Sequence, residues 1–166
     1  MQTDDGSVLD PAAKKTVLRM FTYGLYAVGV ARGEESNMFT ANWLTQVSFD
    51  PPLLALSVEN SSHSIELIRE TGVFAVSVFE RAEREQAGLL GKRWRLRPDK
   101  IREVGHHPGV TGCPILEDAL GAVECRVSES VPAGDSTLFV AEVIHAEVLR
   151  EGEPLTMAEA GFRHAG

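Results

Sequence analysis

Cysteine is almost missing from this chain: Cys113 and Cys125 are the only two in 166 residues. So few thiols, without a CxxC spacing, exclude a disulfide framework. They read as reduced, half-buried thiols of a cytoplasmic protein, with a single bridge as the alternative. Basic residues are outnumbered, 16 Lys and Arg against 24 Asp and Glu, for a formal net charge of −8. That balance argues against nucleic acid as the main partner, because neutralising phosphates takes an excess of cations. No apolar run approaches the roughly 20 residues that cross a bilayer, so no membrane partner is expected. The beginning, MQTDDGSVLDPAAKK, is acidic and then helical, unlike a secretory signal. Internal repeats, low-complexity segments and linkers are also absent, so residues 1–166 read as one domain. There is no GxSxG elbow, Walker A or GxGxxG, and hence no nucleophile or phosphate-loop motif. The five histidines (His63, His106, His107, His145, His164) make no ligand spacing with the cysteines, so no metal is expected.

What is present is an ordinary globular composition, 43% hydrophobic and 24% charged. Asp10 and Pro11 predict an N-cap and first position of a helix reaching about Met20. The runs 21–32, 38–49 and 53–59 predict strands, the last two separated by Asp50-Pro51-Pro52, since proline cannot donate to a sheet ladder. Ile65, Leu67 and Ile68 share one face of a predicted helix over 62–71, with Gly72 as its stop. A strand over 74–79 and a helix over 80–90 follow. Residues 91–113 read as a long irregular loop with some helix. The alternating stretches 119–130 and 137–150 are strands around a Pro-Ala-Gly-Asp turn, and 154–157 reads as a short last strand. Six or seven strands with few helices make the chain mainly β, a small barrel or sandwich.

The chemistry concentrates between Asn37 and Ser64, NMFTANWLTQVSFDPPLLALSVENSSHS. Thr40-Ala41-Asn42-Trp43 offers small residues that let backbone approach a flat ring, together with hydroxyl, amide and aromatic groups. Asn60-Ser61-Ser62-His63-Ser64 lies where a strand turns into a helix, where unpaired N–H groups and the helix dipole favour an anion. Each element has a plainer reading. Ser61 or Ser62 could simply cap the helix, Trp43 could pack in the core or at a dimer interface, and Asn42 could satisfy a turn. In joint order they suit a flat polar ring with a phosphate tail, as in flavin mononucleotide. The run Lys92–Arg102 has six basic residues in eleven. It reads equally as a solvated loop or as a guide for a phosphorylated small molecule.

This arrangement resembles the flavin reductase-like family. The matching residues are the Asn37–Ser64 motif, TGVFAVSVF from Thr71, PILEDALGAVECRV from Pro114 and GDSTLFVAEV from Gly134. The resemblance implies an FMN-binding split barrel, Greek-key-like, forming a homodimer whose pocket lies near the subunit interface. It implies that Thr40, Ala41, Asn42 and Trp43 line the isoalloxazine, with Ser48 as a polar contact nearby. Asn60, Ser61, Ser62, His63 and Ser64 would hold the ribityl chain and phosphate, and Lys100 would sit near the flavin or its nucleotide partner. The implied cofactor is FMN, with FAD possible, and NAD(P)H is the implied hydride source, so no catalytic side chain is called for. Reduced flavin would pass to a flavin-dependent monooxygenase or another electron acceptor. Where family reductases often have Gly-Asp-His, associated with the nicotinamide side, this chain has Gly134-Asp135-Ser136. That departure keeps a second reading open: a flavin-binding electron carrier, or a non-catalytic binding module, that does not oxidise NAD(P)H.

Overall fold

The computed structural model describes residues 8–164; the reading of the acidic residues 1–7 lies outside them. The chain is mainly β. Nine strands occur among the described residues, with four short α-helices and one 3-10 turn at Lys100–Glu103. The strands are β1 (Tyr26–Arg32), β2 (Glu35–Ala41), β3 (Leu44–Ser48), β4 (Leu53–Glu59), β5 (Val73–Val78), β6 (His106–Pro108), β7 (Pro114–Leu116), β8 (Gly121–Ala133) and β9 (Ser136–Val148). The helices are α1 (Pro11–Leu18), α2 (Ser64–Thr71), α3 (Arg84–Leu90) and α4 (Met157–Ala160). Seven strands form one antiparallel sheet in the order β2-β1-β5-β8-β9-β4-β3, while β6 and β7 form a separate hairpin.

The order of the sheet fixes its shape. Strands β2 and β3 are its opposite edges, yet only Asn42 and Trp43 separate them in sequence. Three peptide steps span at most about 11 Å from Ala41 to Leu44, so the sheet must curl enough to bring the Ala41 end of β2 near the Leu44 start of β3. The right-handed twist of the strands and register shifts within the β8–β9 and β3–β4 pairs accommodate the curl. We call this place the seam.

Apolar clusters fill both faces. One contains Val28, Leu56, Phe74, Phe139 and the buried face of α2, Ile65, Leu67 and Ile68. The other joins Met38, Phe79, Leu90, Ile101, Leu116 and Leu155. Each such side chain contributes about 1.5–3 kcal/mol on burial. α2 stops at Gly72, whose left-handed φ of 69° suits glycine and whose N–H donates to the Ile68 carbonyl.

Several expectations shift. The helix opening at Asp10 and Pro11 forms, with the Asp10 carboxylate accepting from Ala12 N (2.9 Å) and Ala13 N (3.3 Å), but it ends at Leu18. The stretch 154–157 makes only isolated bridges, at Pro154 and Thr156, before α4 begins at Met157 under a Thr156–Glu159 capping box. The loop 91–113 holds the 3-10 turn and β6. The hairpin that β6 makes was not legible because three-residue strands carry almost no periodic signal. Both cysteines are free and buried. Burial pushes the Cys125 thiol up to about 12 and raises Cys113 as well, so neither is a thiolate nucleophile.

Gly29, central in β1, faces the carbonyl of Pro114 so closely that a Cβ would overlap that oxygen. Gly29→Ala should therefore destabilise the protein by about 1–3 kcal/mol through overpacking. An unchanged midpoint in urea unfolding would contradict this close approach.

Candidate functional site at the seam

The seam gathers both halves of the Asn37–Ser64 motif. β2 brings Asn37 against the start of α2, where Asn37 Nδ2 donates to Ser64 Oγ at 2.8 Å in a fully buried contact. Two residues earlier on the same strand, Glu35 Oε1 lies 2.8 Å from His63 Nε2. The Arg32 guanidinium bonded to Glu35, followed by the His63 contact, holds that carboxyl below its ordinary range. Thr40 Oγ1 donates to the Ala87 carbonyl at 2.6 Å, tying Thr40–Trp43, the stretch expected to line a ring and here called the ring arm, to α3. On the other side of the seam, Ser57 N of β4 donates to Trp43 O at 3.0 Å.

The start of α2 is also anchored from β9. Arg69 Nη2 donates to Thr137 Oγ1 (3.1 Å), and Thr137 donates to Asn60 Oδ1 (2.7 Å). That fixes the Asn60 amide with its Nδ2 free to donate. Among the described residues, the N–H groups of Ser61 and His63 donate to no backbone carbonyl, and Ser62 N bonds back to Glu59 O. A cluster of free N–H and hydroxyl donors at a helix start suits a phosphate.

The predicted residues do not all converge. Ser64 is buried and engaged with Asn37, so it braces the helix start from beneath. Ser48 ends β3, five residues beyond Trp43 and so about 16 Å along the strand at 3.3 Å per residue. Lys100 points inward at 2% exposure, and its Nζ donates to the carbonyls of Leu90 and Lys92, each at 2.6 Å. Burial lowers its pKa to about 8. Its contacts fasten the base of the basic loop.

Residues that the sequence did not single out complete the site. His164, near the C-terminal end, stacks on Trp43 with centroids 4.7 Å apart. Its Nδ1 lies 3.3 Å from Asn42 Oδ1 and its Nε2 3.4 Å from Glu59 Oε1. Glu59 is the cross-strand partner of Ser136, the position at which the resemblance leads one to expect a histidine. No local signal marks His164. Trp94 stacks on His63 at 3.8 Å; an aromatic inside a charge run was its one available cue. A cavity of about 750 Å³, lined in part by Arg19, Phe21, Tyr23, Phe162 and His164, opens between α1 and α4. His106 and His107 lie in β6, near Val104 O and Glu147. Among the described residues no group of three or more His, Cys, Asp or Glu could hold a metal ion.

One atom tests whether a carbonyl-bearing ring fits. Asn42 Nδ2 is buried and makes no hydrogen bond, although such donors are seldom left unpaired. A heterocycle edged with carbonyl oxygens and ring nitrogens would satisfy it, so the residues present fit a flavin.

A curled antiparallel sheet whose seam brings the Thr40–Trp43 stretch near the helix start at Asn60–Ser64 defines the class as a mainly β protein. The chain belongs to the flavin reductase-like family: residues 18–166 match the family described as "Flavin reductase like domain". It is 33% identical to an NADH-dependent flavin reductase of a Rhodococcus species, covering 97% of this chain and 92% of the relative. It is 32% identical to the high molecular weight rubredoxin of Moorella thermoacetica, covering 85% of this chain and 62% of that longer protein. Among solved structures it is similar to the Streptomyces globisporus C-1027 NADH:FAD oxidoreductase in complex with NAD and FAD fragments. That match has a TM-score of 0.82 and 27% identity, over 96% of this chain and 97% of the other.

Replacing Lys100 with Met should leave the Leu90 and Lys92 carbonyls without their donor, costing about 1–3 kcal/mol. Limited trypsin digestion should then cut faster after Lys92, Arg93 and Arg95. Digestion as slow as in the native protein would show that Lys100 does not hold the loop.

Proposed function

We propose that this protein is an NAD(P)H:flavin oxidoreductase that holds FMN, or FAD, at the seam. The observation that supports the reading is an unpaired buried donor, Asn42 Nδ2, on the connection that Trp43 bonds to β4, with Asn60 Nδ2 and the Ser61 N–H left free at the exit of that strand. Membership of the family, with a flavin reductase as a near full-length relative, supports it. The curled sheet agrees with an FMN-binding split barrel of Greek-key-like connection, and residues 1–166 are proposed as its single domain.

A flavin held there would supply the redox chemistry, as acceptor of the hydride that reduced nicotinamide carries. The chain's work is binding and orientation. Thr40–Trp43 borders the ring, with Thr40 held to α3 and Trp43 held to β4. Asn60, Ser61, Ser62 and the N–H of His63 receive the phosphate, while Glu35, Asn37 and Thr137 fix their positions. Preset donors lower the cost of ordering the ligand. The cavity beside His164 offers room for a nicotinamide next to the ring arm, and the His164 imidazole lies between the two.

A second copy of the chain would cover Met20, Phe21 and Phe49, which are 69%, 56% and 90% exposed. These exposed apolar side chains support the reading of a homodimer. Among the described residues no helix is long and apolar enough to cross a membrane. Its reduced flavin would serve a flavin-dependent monooxygenase or another acceptor. Ser136 favours one competing reading, a flavin-binding electron carrier that does not oxidise NAD(P)H.

Mixing the purified protein with FMN and either NADH or NADPH should give nicotinamide oxidation, read as loss of absorbance, above that of free FMN. Flavin binding without such oxidation would leave the carrier. Ser62→Asp, which places a carboxylate at the phosphate donors, should weaken FMN binding tenfold or more in fluorescence titration. Unchanged affinity would put the phosphate elsewhere.

A further inference from the structure

The basic run carries one aromatic side chain, and that side chain is where the loop meets the site. Trp94 lies flat on His63, ring centroids 3.8 Å apart and planes inclined by 10°. His63 immediately precedes α2 and is steadied from behind by Glu35. The loop is fastened at its base by Lys100, and Arg97 pairs with Glu103. Lys92, Arg93 and Arg95 are different. All three are exposed, and none lies within ion-pair distance of a carboxylate among the described residues. In a chain of net charge −8, three uncompensated cations beside one half-buried tryptophan form an electrostatic feature that the fold itself does not use.

A single phosphate is already served by the donors of Asn60–His63. Three further cations exceed what a mononucleotide asks for and match a second phosphate, on which arginine and lysine make charge-assisted bonds. A purine has two aromatic faces, and Trp94 has one face on His63 and another turned away from it. Resting on the flavin reading above, we propose that residues 92–97 form a clamp for the ADP portion of an adenine dinucleotide. The adenine stacks on the outer face of Trp94 and continues the His63–Trp94 pile, while Lys92, Arg93 and Arg95 meet the pyrophosphate. Base stacking on an aromatic side chain is worth roughly 5- to 150-fold in affinity. Trp94 is thereby a specificity residue that favours a dinucleotide over a mononucleotide. Two ligands of this reaction share the ADP group, FAD and NAD(P)H, and the clamp's place next to the flavin-phosphate donors favours FAD.

The test titrates FMN and FAD into the native protein, Trp94→Ala and Trp94→Phe by flavin fluorescence, and measures KM for NADH with FMN saturating. The FAD:FMN affinity ratio should fall at least fivefold in Trp94→Ala and be largely retained in Trp94→Phe, which keeps a stacking face. A raised NADH KM at constant FAD:FMN ratio would keep the clamp and assign the ADP group to the nicotinamide nucleotide. If Trp94→Ala binds FMN yet moves neither quantity, the clamp is overturned. A native protein that binds no FMN at all would instead remove the flavin reading, and the clamp with it.

Discussion

Two residues, Asn42 and Trp43, carry the chain from one edge of a seven-stranded sheet to the other. That covalent tether is the constraint on which the rest of the structure depends. An open twisted sheet of seven strands would separate its edges by roughly 29 Å at 4.8 Å per strand, far beyond three peptide steps. The sheet must therefore curl. Curling sets β2 beside the exit of β4, and so sets Asn37 and Glu35 against the start of α2. The Asn37–Ser64 and Glu35–His63 contacts are consequences of the tether, and they in turn fix the donors of Asn60–His63. The ring arm is the tether itself, which explains how one short stretch of sequence contributes both ends of the site.

Much of this was legible before any coordinates, and the reasons differ by residue. Alternation marked the long β8 and β9, and the proline step marked the β3–β4 turn, because those signals are local. The α2 face of Ile65, Leu67 and Ile68 was readable for the same reason. The seam was not, since strand order is a property of pairings between residues far apart in sequence. The roles of individual residues suffered most. The resemblance puts Lys100 near the flavin or its nucleotide partner, yet its ammonium faces the carbonyls of Leu90 and Lys92. Ser64 reads as a phosphate donor from composition, but its register on α2 turns it toward Asn37. His164 gave no signal at all, because its value comes from where the tail ends up rather than from its neighbours in sequence.

The polar groups of the site divide by burial into two kinds. Asn37, Ser64, Thr137 and Lys100 are buried and satisfied by protein partners, apart from Asn37 Oδ1. Removing one of them would leave a dry donor or acceptor unpaired, so they act as supports. Asn60, Ser61, Ser62 and the cations of the basic loop are exposed or half-buried and keep donors free. They lose little by waiting in water and gain most when an anion arrives. The unpaired Asn42 Nδ2 crosses this division, being buried like a support and free like a contact.

The same division bears on chemistry. The two thiols are buried and shifted away from ionisation, and the Glu35 carboxylate, held below its ordinary range, is engaged by Arg32 and His63. Nothing at the seam is arranged to form a covalent bond with a substrate. What the structure provides there is geometry: two histidines each stacked on a tryptophan, His164 on Trp43 and His63 on Trp94. Each histidine also contacts a glutamate from the sheet, Glu59 or Glu35. Segments outside the sheet, the basic loop and the C-terminal tail, are joined to it at these two points. A rigid sheet thus holds the donors while two imidazole–indole contacts determine how closely the flanking segments approach. On the proposed reading, selectivity between related nucleotides would be a matter of which flat groups can join those stacks.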